Sequence, residues 1–256
     1  MNQIHVPDGG ERAVPGPQLT SADRRAFMKW SGAAAAAALL AACDRSPTEP
    51  SAATALSRTG ATANARSGVE IDLRNDFGIL NFALALEQLE AAFYTRVVSD
   101  LYGGASGEEE SILRDIKRHE VVHREFFQAA LGAKAIPRLS FDFSAVDFGS
   151  RASVLGTAQV FEDLGVAAYN GAAQFLDRPA FLFVAGKIVS VEARHASAIR
   201  DVLGQPFAPR AFDQAYSFER VLRDASSFIA TPITLANSPT AGHADAQTSQ
   251  AEEMVS

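Results

Sequence analysis

Hydrophobic residues recur every three or four positions in four stretches of the chain, which is the spacing of one face of an α-helix. In the first stretch these positions include Phe77, Leu80 and Leu84. Each stretch is long enough for about seven helical turns. The predicted helices cover about residues 75–100, 106–131, 150–176 and 177–203.

The connections between these helices predict how they are arranged. Ser106 and Glu109 have the spacing of a capping box that begins the second helix. Asp177 caps the fourth helix, and Pro179 falls in its first turn, where a missing N–H costs nothing. Residues 132–150 form one long link. Short loops join antiparallel neighbours and a long one can cross a bundle. We therefore expect an all-α antiparallel four-helix bundle with one long crossover between helices 2 and 3.

Acidic and imidazole residues interrupt the hydrophobic face of every predicted helix at one level. The second and fourth helices each carry a Glu-x-x-His pair, whose members share one face of a helix. The first and third helices each carry one Glu about 30 residues before such a pair. The interrupting residues are Glu87, Glu120, His123, Glu162, Glu192 and His195.

The two halves of the chain repeat one another. The segment from Leu86 to Tyr94 matches 161–169, and the segment from Ile116 to His123 matches 188–195. Each half therefore supplies two Glu and one His to the centre of the predicted bundle.

Four carboxylates converging on a core need compensation. Without it they would raise one another's pKa values and destabilise the bundle. Two divalent cations carry a charge equal and opposite to that of four carboxylates. Because mixed carboxylate and imidazole ligands suit iron, manganese or zinc, the sequence predicts a metal site on the bundle axis.

With these residues the chain resembles the ferritin-like di-iron and di-manganese carboxylate proteins, whose bundles carry this ligand set. The run from Leu80 to Tyr94 and the ending Ser227-Phe228-Ile229 resemble the exported branch that includes desiccation-related proteins. The resemblance covers about residues 71–230 and implies two divalent metal ions, iron or manganese. The implied roles are bridging for Glu120 and Glu192, terminal for Glu87 and Glu162, and one imidazole per ion from His123 and His195.

Three neighbouring residues have two readings each. Tyr94 and Tyr169 lie on the faces of Glu87 and Glu162, as core tyrosines with hydrogen-bonded hydroxyls or as residues that support the metal ligands or form a radical. Glu90 is either close behind the ligands or solvated, since its counterpart in the second half is Gly165.

A zinc protease signature overlaps the second helix. His119-Glu120-x-x-His123 spells H-E-x-x-H, in which two His bind zinc and the Glu is catalytic. The second half has Val191 where the first His would stand, and no third ligand motif follows downstream. His119 is also predicted to point about 100° away from Glu120 around the helix. A zinc metalloprotease is therefore a minor alternative.

Residues 1–43 resemble an export signal. Arg24-Arg25-x-Phe27 precedes an apolar run that is too short to span a bilayer, which is the pattern of a twin-arginine signal. The run ends at Cys43, where a bacterial lipobox places its lipidated cysteine. The resemblance implies the twin-arginine export machinery as a partner and a membrane anchor through a lipid on Cys43.

Composition and flanking segments complete the predicted organisation. The 256 residues carry a net charge of −7, which argues against nucleic acid as a partner, and the single cysteine excludes a disulfide within the chain. We expect a flexible tether over 44–70, the bundle over 71–205, a packed strap with a short helix over 206–230, and a disordered tail over 231–256.

The sequence predicts an exported ferritin-like protein with a dinuclear metal centre. Redox chemistry on oxygen or peroxide, of the ferroxidase, peroxidase or catalase type, is the first hypothesis. The alternatives are a metal-binding or stress-protective envelope protein without turnover, and a bundle with a vestigial site. The sequence leaves a homodimer open.

Overall fold

The computed structural model describes residues 68–239, which form a helical bundle with one small two-stranded sheet. This confirms the predicted all-α fold. The predicted export signal, most of the predicted tether and the chain after residue 239 lie outside the described residues. In chain order the elements are β1 (Val69–Asp72), α1 (Asp76–Ser99), α2 (Gly107–Leu131), α3 (Arg151–Ala173), α4 (Pro179–Val202), α5 (Phe218–Ala225) and β2 (Ile233–Ala236).

The helices pack as two antiparallel pairs, α1 with α2 and α3 with α4. Asn81, early in α1, donates to the carbonyl of Lys134, which follows α2. At the other end, Tyr102 after α1 donates to Glu109 at the start of α2. In the second pair Arg151, the first residue of α3, donates to the carbonyl of Val202 at the end of α4.

Polar side chains fix where the helices begin. Ser106 and Glu109 form the predicted capping box at the start of α2. The prediction that Asp177 caps α4 is wrong. Instead, the buried carboxylate of Asp76 accepts from the backbone N–H groups of Asp177 and Arg178 at 2.8 and 3.2 Å. A carboxylate from the first turn of α1 thus holds the two residues that precede α4 and ties the two helix pairs together.

The crossover between α2 and α3 lies along α1. The side chain of Asn81 accepts from the N–H of Ile136 at 2.7 Å, and that of Gln88 accepts from the N–H of Leu139 at 2.9 Å. These side chains take the place of a sheet or helix in satisfying the crossover backbone. The crossover is therefore an ordered part of the bundle wall.

The C-terminal strap lies against α3. The N–H of Tyr216 donates to the carbonyl of Ala167 at 3.0 Å. A Cβ atom at Gly171 would lie 1.9 Å from the carbonyl oxygen of Tyr216, so only glycine permits this approach. Helix α5 follows the strap where the sequence predicts a short helix.

The strands β1 and β2 pair in parallel, from Val69 opposite Ile233 to Asp72 opposite Ala236. The prediction of a disordered tail over 231–256 is therefore wrong at its beginning, and β1 takes the last residues of the predicted tether. A four-residue strand shows almost no periodicity, and its partner lies more than 160 residues away.

Among residues 68–239, no helix combines the length and apolar character needed to cross a membrane.

Candidate metal centre

The four long helices bring all six predicted ligand residues to one buried centre. Each residue sits on the inward face of its helix because it occupies a position of the hydrophobic repeat. Three of the four carboxylates are 0% exposed and the fourth is 1% exposed. The residues are Glu87 on α1, Glu120 and His123 on α2, Glu162 on α3, and Glu192 and His195 on α4.

These residues form two overlapping clusters in which the candidate ligand atoms lie within 4.8 Å of one another. The His123 cluster is completed by Glu87, and the His195 cluster is completed by Glu162. Glu120 and Glu192 belong to both clusters.

In the His123 cluster, three carboxylate oxygens surround one ring nitrogen. Nδ1 of His123 lies 3.0 Å from Oε1 of Glu192, 3.4 Å from Oε2 of Glu87 and 3.5 Å from Oε2 of Glu120. These oxygens come from three different helices.

The His195 cluster repeats this arrangement with the other oxygens. Nδ1 of His195 lies 2.9 Å from Oε1 of Glu120, 3.2 Å from Oε2 of Glu162 and 3.5 Å from Oε2 of Glu192. Glu120 and Glu192 therefore each present one oxygen to each cluster.

Eight buried polar atoms at this centre make no hydrogen bond of acceptable geometry. They are Nδ1 of both histidines, both oxygens of Glu120 and of Glu192, and one oxygen each of Glu87 and Glu162. A buried carboxylate oxygen without a partner costs about 1–3 kcal/mol or more. All eight atoms have the lone pairs that a metal ion uses. The residues present therefore fit bound metal cations.

The electrostatics of the protein without metal favour protonated imidazoles. Burial alone would lower the pKa of His123, but the carboxylates of Glu120, Glu192 and Glu87 outweigh it and raise the pKa to about 12. The pKa of His195 is likewise raised to about 12 by its three carboxylates.

The pKa values of the carboxyl groups shift in different directions. Burial raises the pKa of Glu162 to about 8 and holds that of Glu87 well above its ordinary value. Burial acts on Glu120 too, but His123 and His195 outweigh it and lower its pKa to about 2. Near neutral pH the centre therefore holds protons where metal ions would bind.

Two tyrosines connect the halves of the bundle. The hydroxyl of Tyr94 donates to Oε1 of Glu162 at 2.5 Å, and the hydroxyl of Tyr169 donates to Oε1 of Glu87. Each tyrosine thus holds the carboxylate contributed by the other half, and leaves that residue's second oxygen facing the centre. Sequence spacing predicts buried hydroxyls with partners, but it cannot predict this crossing.

Glu90 makes the two halves unequal. It is buried, and its Oε1 would lie only 3.1 Å from a Cβ atom at Gly165, its counterpart in the repeat. Burial, and then the charge of Glu192, raise the pKa of Glu90 well above its ordinary value. Of the two interpretations of Glu90, the structure agrees with the one in which its side chain is buried behind the candidate ligands. Its carboxyl occupies the space left by the absent side chain of Gly165.

His119 lies beside the centre, in a contact that the sequence did not reveal. Its Nδ1 is 2.8 Å from Nε2 of His195, although part of its ring is exposed. Burial, and then the neighbouring His195, lower the pKa of His119. A zinc protease requires His119 and His123 to bind one ion, whereas His119 faces the outer edge of His195 and belongs to neither cluster among residues 68–239.

An apolar cavity of about 40 Å³ lies against Tyr169, at the end of the bundle where α4 begins. Its walls come from all four long helices and include Phe126, Phe127, Ala130 and Phe181. Nothing in the sequence pattern distinguishes these residues from ordinary core positions.

The fold and the centre define a class of protein, the four-helix bundle with a buried carboxylate and imidazole cluster. Sequence comparison agrees, because the profile of the ferritin-like domain matches residues 75–205, just over half of the chain. The chain belongs to the ferritin-like domain family. No curated protein matches it in a sequence comparison.

Proposed function

We propose that the bundle binds two divalent ions, iron or manganese, and uses them for redox chemistry on dioxygen or peroxide. The observation that carries the proposal is the division of oxygens at Glu120 and Glu192, each of which faces both clusters. A single ion would leave part of this buried set without a partner.

Charge supports two ions. The centre has four carboxylates, and two divalent cations balance them without further groups. The ligands are carboxylate oxygens and imidazole nitrogens without a thiolate, a set that suits iron and manganese. A pair of such ions would supply the electrons for reducing an O–O bond.

The protein's own side chains prepare this centre. Tyr94 and Tyr169 orient the terminal carboxylates of Glu162 and Glu87, as partners behind metal ligands commonly do. The apolar cavity against Tyr169 excludes ions, since its walls offer them almost no polar group. A water molecule needs about 10–15 Å³ of such space, so a cavity of about 40 Å³ admits a molecule of two or three heavy atoms. Dioxygen has that size and polarity.

The direct test combines metal analysis with turnover. The purified protein should contain about two iron or manganese ions per chain and should consume ferrous ion with oxygen, or peroxide. Glu192→Ala should abolish consumption and lower metal content. Glu125→Ala, which removes an exposed glutamate of α2, should change neither.

The outcomes separate the candidate functions. Two bound ions without oxygen or peroxide consumption would favour the non-catalytic, stress-protective alternative. A chain that binds no metal would leave only a helical scaffold.

Cell location is a separate part of the proposal, supported by the N-terminal sequence alone. We propose that Arg24 and Arg25 direct export through the twin-arginine route, and that a lipid on Cys43 anchors the protein to the envelope membrane, as in the exported branch with desiccation-related proteins. Replacing both arginines with lysine should retain the protein inside the cell. Normal export of that variant would refute this part.

A further inference from the structure

The two halves of the centre repeat each other closely, but besides Glu90 and Gly165 they differ at a second position beside the metal ligands. Glu120 is preceded by His119, whereas its counterpart Glu192 is preceded by Val191. Of His119 and Val191, only His119 has a side chain that can form a hydrogen bond.

His119 uses that ability on a candidate ligand. The N···N distance to His195 is 2.8 Å, the ring planes lie within 11° of each other, and the ring centres are 5.1 Å apart. This separation is about the hydrogen-bond length plus the two ring radii, so the rings meet edge to edge. Nδ1 of His195 therefore faces the clusters, while Nε2 of His195 forms a hydrogen bond with His119.

The direction of the hydrogen bond follows from the ligand role. Nδ1 of His195 faces three carboxylates and must keep its lone pair free to bind a metal. Nε2 then carries the hydrogen and donates it to Nδ1 of His119. Such a bond fixes both the tautomer and the orientation of the ring.

His123 lacks this support. Its Nδ1 faces its own cluster in the same way, but no residue between 68 and 239 forms a hydrogen bond with its Nε2. The equivalent position on α4 is Val191, an aliphatic side chain. The two half-sites thus have matching ligands and unequal support.

We propose that His119 is a positioning residue that makes the half-site of His195 and Glu162 bind its metal ion first and more tightly than the half-site of His123 and Glu87. The inference rests on the proposed dinuclear centre. Partners behind a ligating histidine typically contribute a factor of about 10–100 in metal affinity. The centre should therefore fill in two steps separated by about that factor.

The test is a titration of the metal-free full chain with Co²⁺, followed by absorption spectroscopy and calorimetry. The unaltered chain should bind two ions in two resolved steps. His119→Phe keeps an aromatic ring but removes the acceptor, so the tighter step should weaken by about 10–100-fold and merge with the weaker one. His119→Gln, whose amide oxygen can accept the same hydrogen bond, should restore part of the separation.

Two further variants assign the steps. His123→Ala should keep the spectrum of the first Co²⁺ ion, and His195→Ala should lose it. Val191→His places an imidazole at the matching position of the second half and should strengthen the weaker step. Circular dichroism on every variant distinguishes a loss of fold from a loss of affinity.

The outcomes separate this inference from the function on which it rests. Two bound ions with both affinities unchanged in His119→Phe would overturn the inference and leave the dinuclear centre standing. Equal weakening of both steps would also overturn it. No cobalt binding by the unaltered chain would overturn both.

Discussion

Loading the buried centre with two divalent ions at pH 7 should release about four protons per chain into solution. The count comes from four groups that hold protons before metal binds. Both imidazoles have a pKa of about 12 in the metal-free centre. The carboxyl of Glu162 has a pKa of about 8, and burial raises that of Glu87 well above its ordinary range. Four protons leave as four positive charges enter, so the buried centre keeps its net charge.

The affinity of the centre for metal should depend on pH in one direction. Because protons compete with metal, affinity should rise with pH, by about 100-fold per ion for each pH unit if each ion displaces two protons. Above pH 8 Glu162 is already ionised without metal, so the number of released protons should fall towards three.

Calorimetric titration with Mn²⁺ in buffers of different ionisation heat measures the released protons. Glu125→Gln removes an exposed charge of α2 and should leave the count unchanged. Release of one proton or none would refute the reasoning, since the imidazoles would then be neutral before metal binds. A fifth proton would show that Glu90 ionises as well.

Three further predictions concern stability, ligand support and access. A carboxyl whose pKa is higher in the folded than in the unfolded state makes the fold less stable as the pH rises towards the folded-state pKa. Because the pKa of Glu162 is about 8, the Tm of the metal-free protein should fall as the pH rises from 6 through 8. A rising Tm in scanning calorimetry would contradict this. Tyr169→Phe removes the donor to Glu87 and should weaken metal binding about 10-fold in an equilibrium titration without unfolding the bundle. Ala130→Leu fills the apolar cavity and should slow oxygen consumption in an oxygen-electrode assay at unchanged metal content. Ala129→Leu, on the exposed side of the same helix, is its control.

The sequence predicted the bundle and the convergence of the six residues because both depend on the helical repeat alone. A Glu or His in an apolar repeat must face the core once the helix packs. Glu87 and Glu162 were visible for this reason, and so were the two Glu-x-x-His pairs.

The sequence pattern does not predict contacts that depend on the offset between helices. The crossing of Tyr94 to Glu162 is set by how far α1 and α3 are displaced along their axes, which no single-helix pattern records. His119 stands off the repeat of α2, and only the position of α4 brings His195 within its reach. The hydrogen bond from Asp177, just before α4, to Asp76 joins residues about 100 positions apart.

The crossed tyrosines mean that neither half of the chain can finish a metal-binding pocket by itself. Tyr94 supports a glutamate on α3, and Tyr169 supports one on α1. A polypeptide cleaved within 132–150 would yield two fragments that regain metal affinity only when they are mixed. An ancestral protein with a single helix pair would, by the same geometry, have assembled this pocket between two identical subunits.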